Sequence, residues 1–276
     1  MKIGVRAHDF GKMEPSKLAK RLNEAGFEAA QLAIPKAIEG INSFSDITPV
    51  ILDDIRNVFE ENCVDISILG CYVEIGYSDK DARLSEVEKF KMGLENAKIL
   101  GVSLVGTETT NFSPDMDYMR EDAYQNVKDS VLRMADRAEQ LGVNIAIEPV
   151  ADHTLNSADL TRRLFDEVGS KRLVTILDPV NLILTKDDIL EQEHIFSSFF
   201  DIVGSDIAAL HVKDIVLAED GEKIWRNIGC GEIRFEMIFE WLRQHKNDIP
   251  ILREHVKLDS YMTDITAMRR LIKGEL

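Results

Sequence analysis

The chain has 276 residues, and 33 lysines and arginines against 49 aspartates and glutamates leave a formal net charge of −16. Hydrophobic residues make up 45%, enough for a sizeable core, so the composition excludes a largely disordered chain. So acidic a balance argues against a groove for a phosphate backbone, and nucleic acid is not an expected partner.

Cys63, Cys71 and Cys230 are odd in number and contain no CxxC pair, which excludes a zinc knuckle and a complete disulfide framework and fits a reducing compartment. The opening MKIGVRAHDFG lacks the apolar stretch of a secretory signal, and no run approaches the ~18 apolar residues that span a bilayer. The expectation is a soluble, cytoplasmic protein with no membrane partner.

In chain order, short apolar runs fall at residues 2–8 (KIGVRAH), 27–34 (FEAAQLAI), 64–72 (VDISILGCY), 102–108 (VSLVGTE), 143–149 (VNIAIEP), 172–179 (RLVTILDP), 207–214 (IAALHVKD) and 249–256 (IPILREHV). These are eight candidate strands, and the segments between them carry helical periodicity, as in Phe235, Ile238, Phe239 and Leu242. Thr48-Pro49 reads as a helix N-cap with proline at the first helical position, and Ser157 caps ADLTRRLFDEV. The segments KILGVSLVG (98–106) and EQLGVNIAI (139–147) are near-copies in which Gly101 and Gly142 each end a helix ahead of a strand. Strictly alternating strands and helices imply parallel crossovers, and the closed solution is an α/β fold of the (β/α)8 TIM-barrel type, one domain over residues 1–276. An open doubly wound sheet would carry a Gly-rich turn after its first strand, where HDFGKMEP has one glycine.

Active sites of such barrels lie at the C-terminal strand ends, occupied here by His8, Tyr72, Glu108, Glu148, Asp178, His211 and Glu254. Clustered buried carboxylates repel unless a cation neutralises them, and none of these has a basic partner assigned by its position in the run. A divalent cation held by Glu148, Asp178, His211 and Glu254, on four consecutive strands, removes the repulsion. This oxygen-rich set with one imidazole suits Mn2+, Mg2+ or Co2+, and is compatible with Zn2+. By strand alternation Lys213 shares the pocket side with His211. Arg6 is expected inside the barrel below His8, in space left by Ala146 and Ala209, where it would orient a ligand carboxylate. Arg253 and His255 are expected to face outward in structural roles.

The segments IAIEP, TILDPVNL, ALHVKD and ILREHV, in that order along eight βα units, resemble the xylose isomerase-like TIM-barrel superfamily, and within it the sugar phosphate isomerase/epimerase group. The turn NIGCGEIRF (227–235) is similar to the glycine-containing turn before the seventh helix of that group. The resemblance implies metal ligation by Glu148, Asp178, His211 and Glu254, with Glu148 and Glu254 doubling as acid/base groups. Asn181 stands where ketose 3-epimerases carry a substrate-contacting histidine, so the sequence departs from that subgroup.

The chemistry such a site implies starts from a metal-chelated carbonyl whose neighbouring C–H is acidified. One glutamate takes the proton to leave an enediolate, and the other returns it. Return to the same carbon is epimerisation, return to the neighbouring carbon is isomerisation, and loss of a β-hydroxyl is dehydration of an inosose-like keto-polyol. Substrate-binding candidates are His8, Glu108, Asn181 and Lys213, the last facing a negative group or the enediolate. His8 reads equally as a rim histidine. Glu108 falls one position out of phase with Glu148 when the two repeats are overlaid, so a solvent-facing role competes. His153 reads as a solvated loop residue, His194 and His245 as surface helix residues, and Tyr72 and Trp225 as packing or as pocket wall. Gly229 and Gly231 read as a tight turn in preference to a phosphate nest. The expected partner is a small sugar or sugar phosphate, with a homo-oligomer possible. Competing readings are an apurinic endonuclease-like phosphodiesterase, which the charge and the single confident histidine ligand oppose, and a non-catalytic sugar-binding barrel.

Overall fold

The computed structural model describes residues 1–112 and 119–275. Ten strands occur among them: β1 (Ile3–Arg6), β2 (Ala29–Leu32), β3 (Asp65–Gly70), β4 (Leu104–Glu108), β5 (Asn144–Glu148), β6 (Leu173–Leu177), β7 (Ile207–Val212), β8 (Asp214–Leu217), β9 (Lys223–Arg226) and β10 (Ile251–Arg253). All but β8 and β9 close into a parallel barrel in the order β1-β10-β7-β6-β5-β4-β3-β2. The helices are α1 (Pro15–Glu24), the single turn α2 (Ile34–Ala37), α3 (Pro49–Glu61), α4 (Lys80–Leu100), α5 (Arg120–Leu141), α6 (Ala158–Val168), α7 (Lys186–Val203), α8 (Phe235–His245) and α9 (Tyr261–Lys273). This is the expected (β/α)8 barrel, and each barrel strand lies inside one of the eight apolar runs. No helix among the described residues is long and apolar enough to cross a membrane.

The helix ends follow the local chemistry. Thr48 Oγ1 accepts from Ile51 N–H and Ser157 Oγ from Leu160 N–H, each satisfying an orphan donor of the first turn. Gly101 and Gly142 take φ of 76° and 71°, the left-handed conformation that turns the chain from α4 into β4 and from α5 into β5.

The barrel axis is filled by Ala29, Ile68, Leu104, Ala146, Ile176, Ala209 and Leu252, a buried cluster separate from the outer core under the helices. Small and large residues are complementary across it. A Cβ on Gly4 would stand 2.6 Å from Leu252 Cδ2, and one on Gly106 would stand 3.0 Å from Ile68 and 3.2 Å from Ile176. The room beside Ala146 and Ala209 is therefore taken by branched aliphatic side chains, which form a dry floor beneath the strand ends. Arg6 does not lie in that floor. Val5 is in register with Arg253, which sets Arg6 beside Glu254 rather than below it.

The seventh strand stops at Val212, two residues short of the end expected from the sequence. Asp214 instead opens an antiparallel hairpin, β8–β9, in register Asp214↔Arg226 and Ile215↔Trp225. The signal is present in the sequence as Asp220-Gly221 between IVL and KIW, with Gly221 at φ 87°.

Candidate functional site

Alternation along four neighbouring barrel strands puts a polar residue one step above the floor: Glu148 over Ala146, Asp178 over Ile176, His211 over Ala209 and Glu254 over Leu252. All four are buried, with 1%, 1%, 0% and 4% of their surface exposed. His211 Nδ1 lies 3.0 Å from Glu148 Oε2, 3.9 Å from Asp178 Oδ2 and 3.5 Å from Glu254 Oε1. Glu148, Asp178 and His211 each offer a ligand atom within 4.8 Å of the other two, and this group could hold a metal ion. Glu254 stands outside that mutual group, with its Oε1 facing His211.

Both ring nitrogens of His211, Glu148 Oε2 and Asp178 Oδ2 are buried without a hydrogen-bond partner. Buried polar atoms are rarely left so, and the two carboxylate oxygens with Nδ1, the imidazole nitrogen that faces them, form a donor set suited to a divalent cation. Other oxygens are held. Asn181 Nδ2 donates to Glu148 Oε1 at 2.5 Å, and Asp178 Oδ1 accepts from the N–H groups of Val180 (3.0 Å) and Asn181 (3.2 Å).

The cluster nevertheless has a cation of its own, contrary to the expectation that no basic residue balances it. The Lys213 ammonium is buried 2.7 Å from Asp178 Oδ2, close enough for an ion pair but without hydrogen-bond direction, and it donates to Glu254 Oε2 at 3.0 Å. Two positions after His211 on the same face, it reaches both neighbouring strand ends. Arg6 adds a second contact to Glu254 Oε2 at 3.4 Å and is itself held by Asp9 at 2.8 Å.

These neighbours set the protonation states. Burial opposes ionisation of Glu254, but Lys213, His211 and Arg6 outweigh it and hold the carboxyl well below the usual carboxylate range. Burial raises Asp178 to about 6 against the pull of Lys213. Burial pulls His211 down, yet Glu148 and Glu254 outweigh it and raise the imidazole to about 9.

The opposite arc of the mouth is built by β1 to β4. Glu108 is in register with Glu148 and faces the same way; registered residues of β4 and β5 stand 40 apart while the repeat glycines stand 41 apart, so barrel stagger cancels the phase difference in the sequence. Burial, then Glu148, raises the Glu108 carboxyl to about 8. His8 sits in the 3-10 turn Ala7–Phe10 beyond β1, half-buried, with Nδ1 unpartnered, and burial and Arg6 lower it to about 4.

His153 is not a solvated loop residue. Its loop folds over the mouth, pairing with Asn111, so the imidazole is half-buried with Nε2 4.0 Å from Glu108 Oε2. Burial pulls its pKa down. His255 departs from the outward orientation expected of it, because strand alternation ends at Arg253. At φ 53° its ring turns to stack on Trp225, 3.8 Å between centroids and 8° from parallel. Trp225 itself packs partly buried against the outer core, while Arg253 has the expected structural role, with Nε bonded to Asp264 at 2.8 Å. His194 and His245 are exposed on helices, as expected.

The Gly229/Gly231 turn forms as expected, and its anion is internal. Asp214 Oδ2 accepts from Gly229 and Gly231 N–H at 2.9 Å each, while Oδ1 accepts from Ile215 at 2.9 Å and Ile233 at 3.4 Å. Through Asp214 the turn fastens the hairpin next to Lys213. Gln31, which sequence reasoning passed over, faces inward above Ala29 and donates to the Tyr72 hydroxyl. The available signal was a lone amide within the apolar run AAQLAI.

The family model of the xylose isomerase-like TIM barrel matches residues 19–271. No curated protein matches the sequence. Among solved structures, the chain is similar to a D-tagatose 3-epimerase-like protein at 16% identity, covering 100% of this chain and 98% of that one, with a TM-score of 0.79. It is similar to the IolI protein with a bound zinc atom at 18% identity, covering 100% and 99%, TM-score 0.77. It is also similar to the 3-keto-D-glucoside 4-epimerase YcjR from E. coli at 16% identity, covering 99% of both chains, TM-score 0.75. With a closed eight-stranded barrel and a family match over nearly its whole length, this chain belongs to the xylose isomerase-like TIM-barrel family.

Proposed function

We propose that the protein is a divalent-metal-dependent isomerase or epimerase of a sugar or sugar derivative. The observation that carries this reading is the convergence at the barrel mouth of Glu148, Asp178 and His211, whose ligand atoms lie within 4.8 Å of one another, beside the ionised Glu254. The printed activities of the similar structures, a 3-keto-glucoside epimerase and a tagatose epimerase-like protein, and the zinc of IolI support it.

Glu148, Asp178 and His211, with Glu254 as fourth ligand, would hold the ion. The donor set favours Mn2+, Mg2+ or Co2+ and is compatible with Zn2+. When bound, it supplies polarisation of a substrate carbonyl and acidifies the adjacent C–H. Glu254, kept ionised by Lys213 and Arg6, serves as the base that takes this proton. Glu148, oriented by Asn181, returns a proton from the other side of the arc. Lys213 balances the negative charge that develops on the enediolate oxygens, and His8, Glu108 and Asn181 bind substrate hydroxyls. The dry floor of Ile68, Ile176 and Leu252 keeps water from the lower side of the cluster.

The test is incubation of the metal-supplemented protein with ketoses, aldoses, their phosphates and inososes in D2O, read by NMR and mass. Deuterium should enter next to the carbonyl, and the product separates epimerisation, isomerisation and dehydration. Full exchange activity in Glu254→Gln would remove the glutamate from its role.

A further inference from the structure

Half of the mouth lies opposite the metal-ligand arc, and its most deeply buried polar group has no role in the chemistry above. Gln31 is wholly buried, in register with Arg6 on β1, and faces the barrel axis one layer above Ala29. Its Nε2 donates to the Tyr72 hydroxyl, and its Oε1 is buried without a partner. A carboxamide has two polar ends and the single phenol engages one of them, so whichever way the amide is turned the other is left over. Such a buried orphan is uncommon in a native fold and calls for a ligand. Arg6, the register partner of Gln31, contacts Glu254 Oε2 at 3.4 Å, so the pair borders the same cup as the metal-ligand group. His8 contributes a second buried, unpartnered atom, Nδ1, on the neighbouring strand end.

The charges around this arc say what kind of group it takes. Arg6 is engaged by Asp9 and Glu254, and Lys213 by Asp178 and Glu254. The Gly229 and Gly231 amides, the natural phosphate nest, already hold Asp214. What is left over is an amide, a phenol and an imidazole, neutral groups matched to hydroxyls rather than to the cationic fork or helix terminus that a phosphate selects. One lysine stands by this arc, Lys36, exposed, with its ammonium 5.1 Å from the centre of the Tyr72 ring; another, Lys223, lies across the barrel, where it donates to the Val180 carbonyl at 2.9 Å beyond β6.

We propose that Gln31 and Tyr72, with His8 beside them, bind the hydroxyl groups of an unphosphorylated sugar at the end remote from the metal ligands. This deepens the proposed function and rests on it for the presence of a polyol in the mouth. The pair sets affinity and orientation, and takes no part in proton transfer.

The test uses the metal-loaded protein and the double variant Gln31→Met/Tyr72→Phe. Removing both partners of a hydrogen bond in favour of apolar groups of similar shape is close to neutral for folding, so its melting temperature should stay near that of the wild type. Binding of free ketopentoses and ketohexoses, and of the same sugars as terminal phosphates, is read by saturation-transfer NMR, which needs no turnover. The expected result is that a free sugar binds the wild type more tightly than its phosphate ester, and that the double variant loses about ten- to a hundredfold in affinity. On a substrate that turns over, the loss should fall on KM, with kcat changing less.

Unchanged sugar affinity in a folded double variant overturns the proposal. So does a panel in which no free sugar binds, or in which a phosphate ester binds best and loses its advantage in Lys36→Ala or Lys223→Ala. Gln31-dependent binding without deuterium exchange would leave the recognition arm standing and defeat the isomerase reading. Exchange with an unchanged KM in the double variant would defeat the arm alone.

Discussion

Replacing Lys213 by methionine keeps the stem and removes the charge that bridges Asp178 and Glu254. Glu254 retains Arg6 at 3.4 Å, but Asp178 loses its short cation contact at 2.7 Å and keeps only the Val180 and Asn181 amides. Breaking one partner out of a buried pair costs about 3–5 kcal/mol. Asp178 has a second way out: already raised to about 6, it can take up a proton at a cost of about 1.4 kcal/mol at pH 7, so its share of the loss is capped near that figure and the rest falls on Glu254, left ionised and buried with Arg6 alone. For a loss of about 3–4 kcal/mol in the metal-free protein, at roughly 2–4 °C per kcal/mol, the melting temperature in EDTA should fall by about 6–16 °C. At pH 5.5, below the Asp178 value, the Asp178 share is gone, so the deficit should shrink by about 1 kcal/mol. Added Mn2+ or Mg2+ should raise the variant more than the wild type, because a divalent ion restores the missing positive charge. Scanning fluorimetry at pH 7 and 5.5, with and without metal, reads all of this. A fall of less than about 2 °C, or an equal deficit at both pH values, would show that Lys213 is not the cation that stabilises the metal-free cluster.

Other consequences are as concrete. The purified protein should carry about one divalent ion per chain, and a chelator should remove about 2–3 kcal/mol of stability relative to metal at a hundredfold excess over Kd; elemental analysis and melting curves in EDTA check both. Gly231→Ala would bring a Cβ onto Asp214 Oδ1 and the Ile215 carbonyl, so urea denaturation should show a loss of about 2–4 kcal/mol, and wild-type stability there would mean that the turn is not fastened as described. Burial, then Arg6 and Lys213, lowers His255 to about 4, and the ring stacks on Trp225. Imidazolium quenches a stacked indole, so in a Trp241→Phe background the fluorescence should fall with a midpoint near pH 4; a midpoint near the ordinary histidine value would mean an open, solvated ring. The sign for stability follows: with its folded pKa depressed, neutral His255 contributes stability above about pH 6.5 that is lost as the pH falls towards 4.

The site joins two electrostatic solutions to one problem. Glu148, Asp178 and Glu254 converge because the barrel closes, and their repulsion has to be offset in the dry region above Ile176 and Leu252. Lys213 and Arg6 neutralise the side near β10, with Lys213 reaching across to Asp178, and leave Glu148 Oε2 facing the His211 ring on the side near β5. On the proposed function, this asymmetry would leave the β5 side to the ion and keep Glu254 ionised, the division of labour that acid/base chemistry between two carboxylates needs.

Periodicity alone determined the barrel: eight apolar runs, helix caps at Thr48 and Ser157, and left-handed glycines at 101 and 142 all express local rules of strand and helix. The strand-end residues Glu148, Asp178, His211 and Glu254 were legible for the same reason, since a costly polar group closing a buried run stands out wherever it occurs. What touches what is another matter, because it depends on barrel stagger and on loops whose course no local rule dictates. Register brought Glu108 level with Glu148 although the repeats set it one residue out of phase. The hairpin after Val212 carried Trp225 to His255, whose left-handed backbone ended the alternation that had pointed it outward. Lys213 became the partner of two carboxylates from other strands, and Asp214 filled the glycine nest, because closing the barrel sets residues from distant parts of the chain side by side. Sequence determined which residues are unusual for their positions; only the closed structure decided which of those anomalies neutralise one another and which, like the unpartnered atoms of His211 and Gln31, are left facing the mouth.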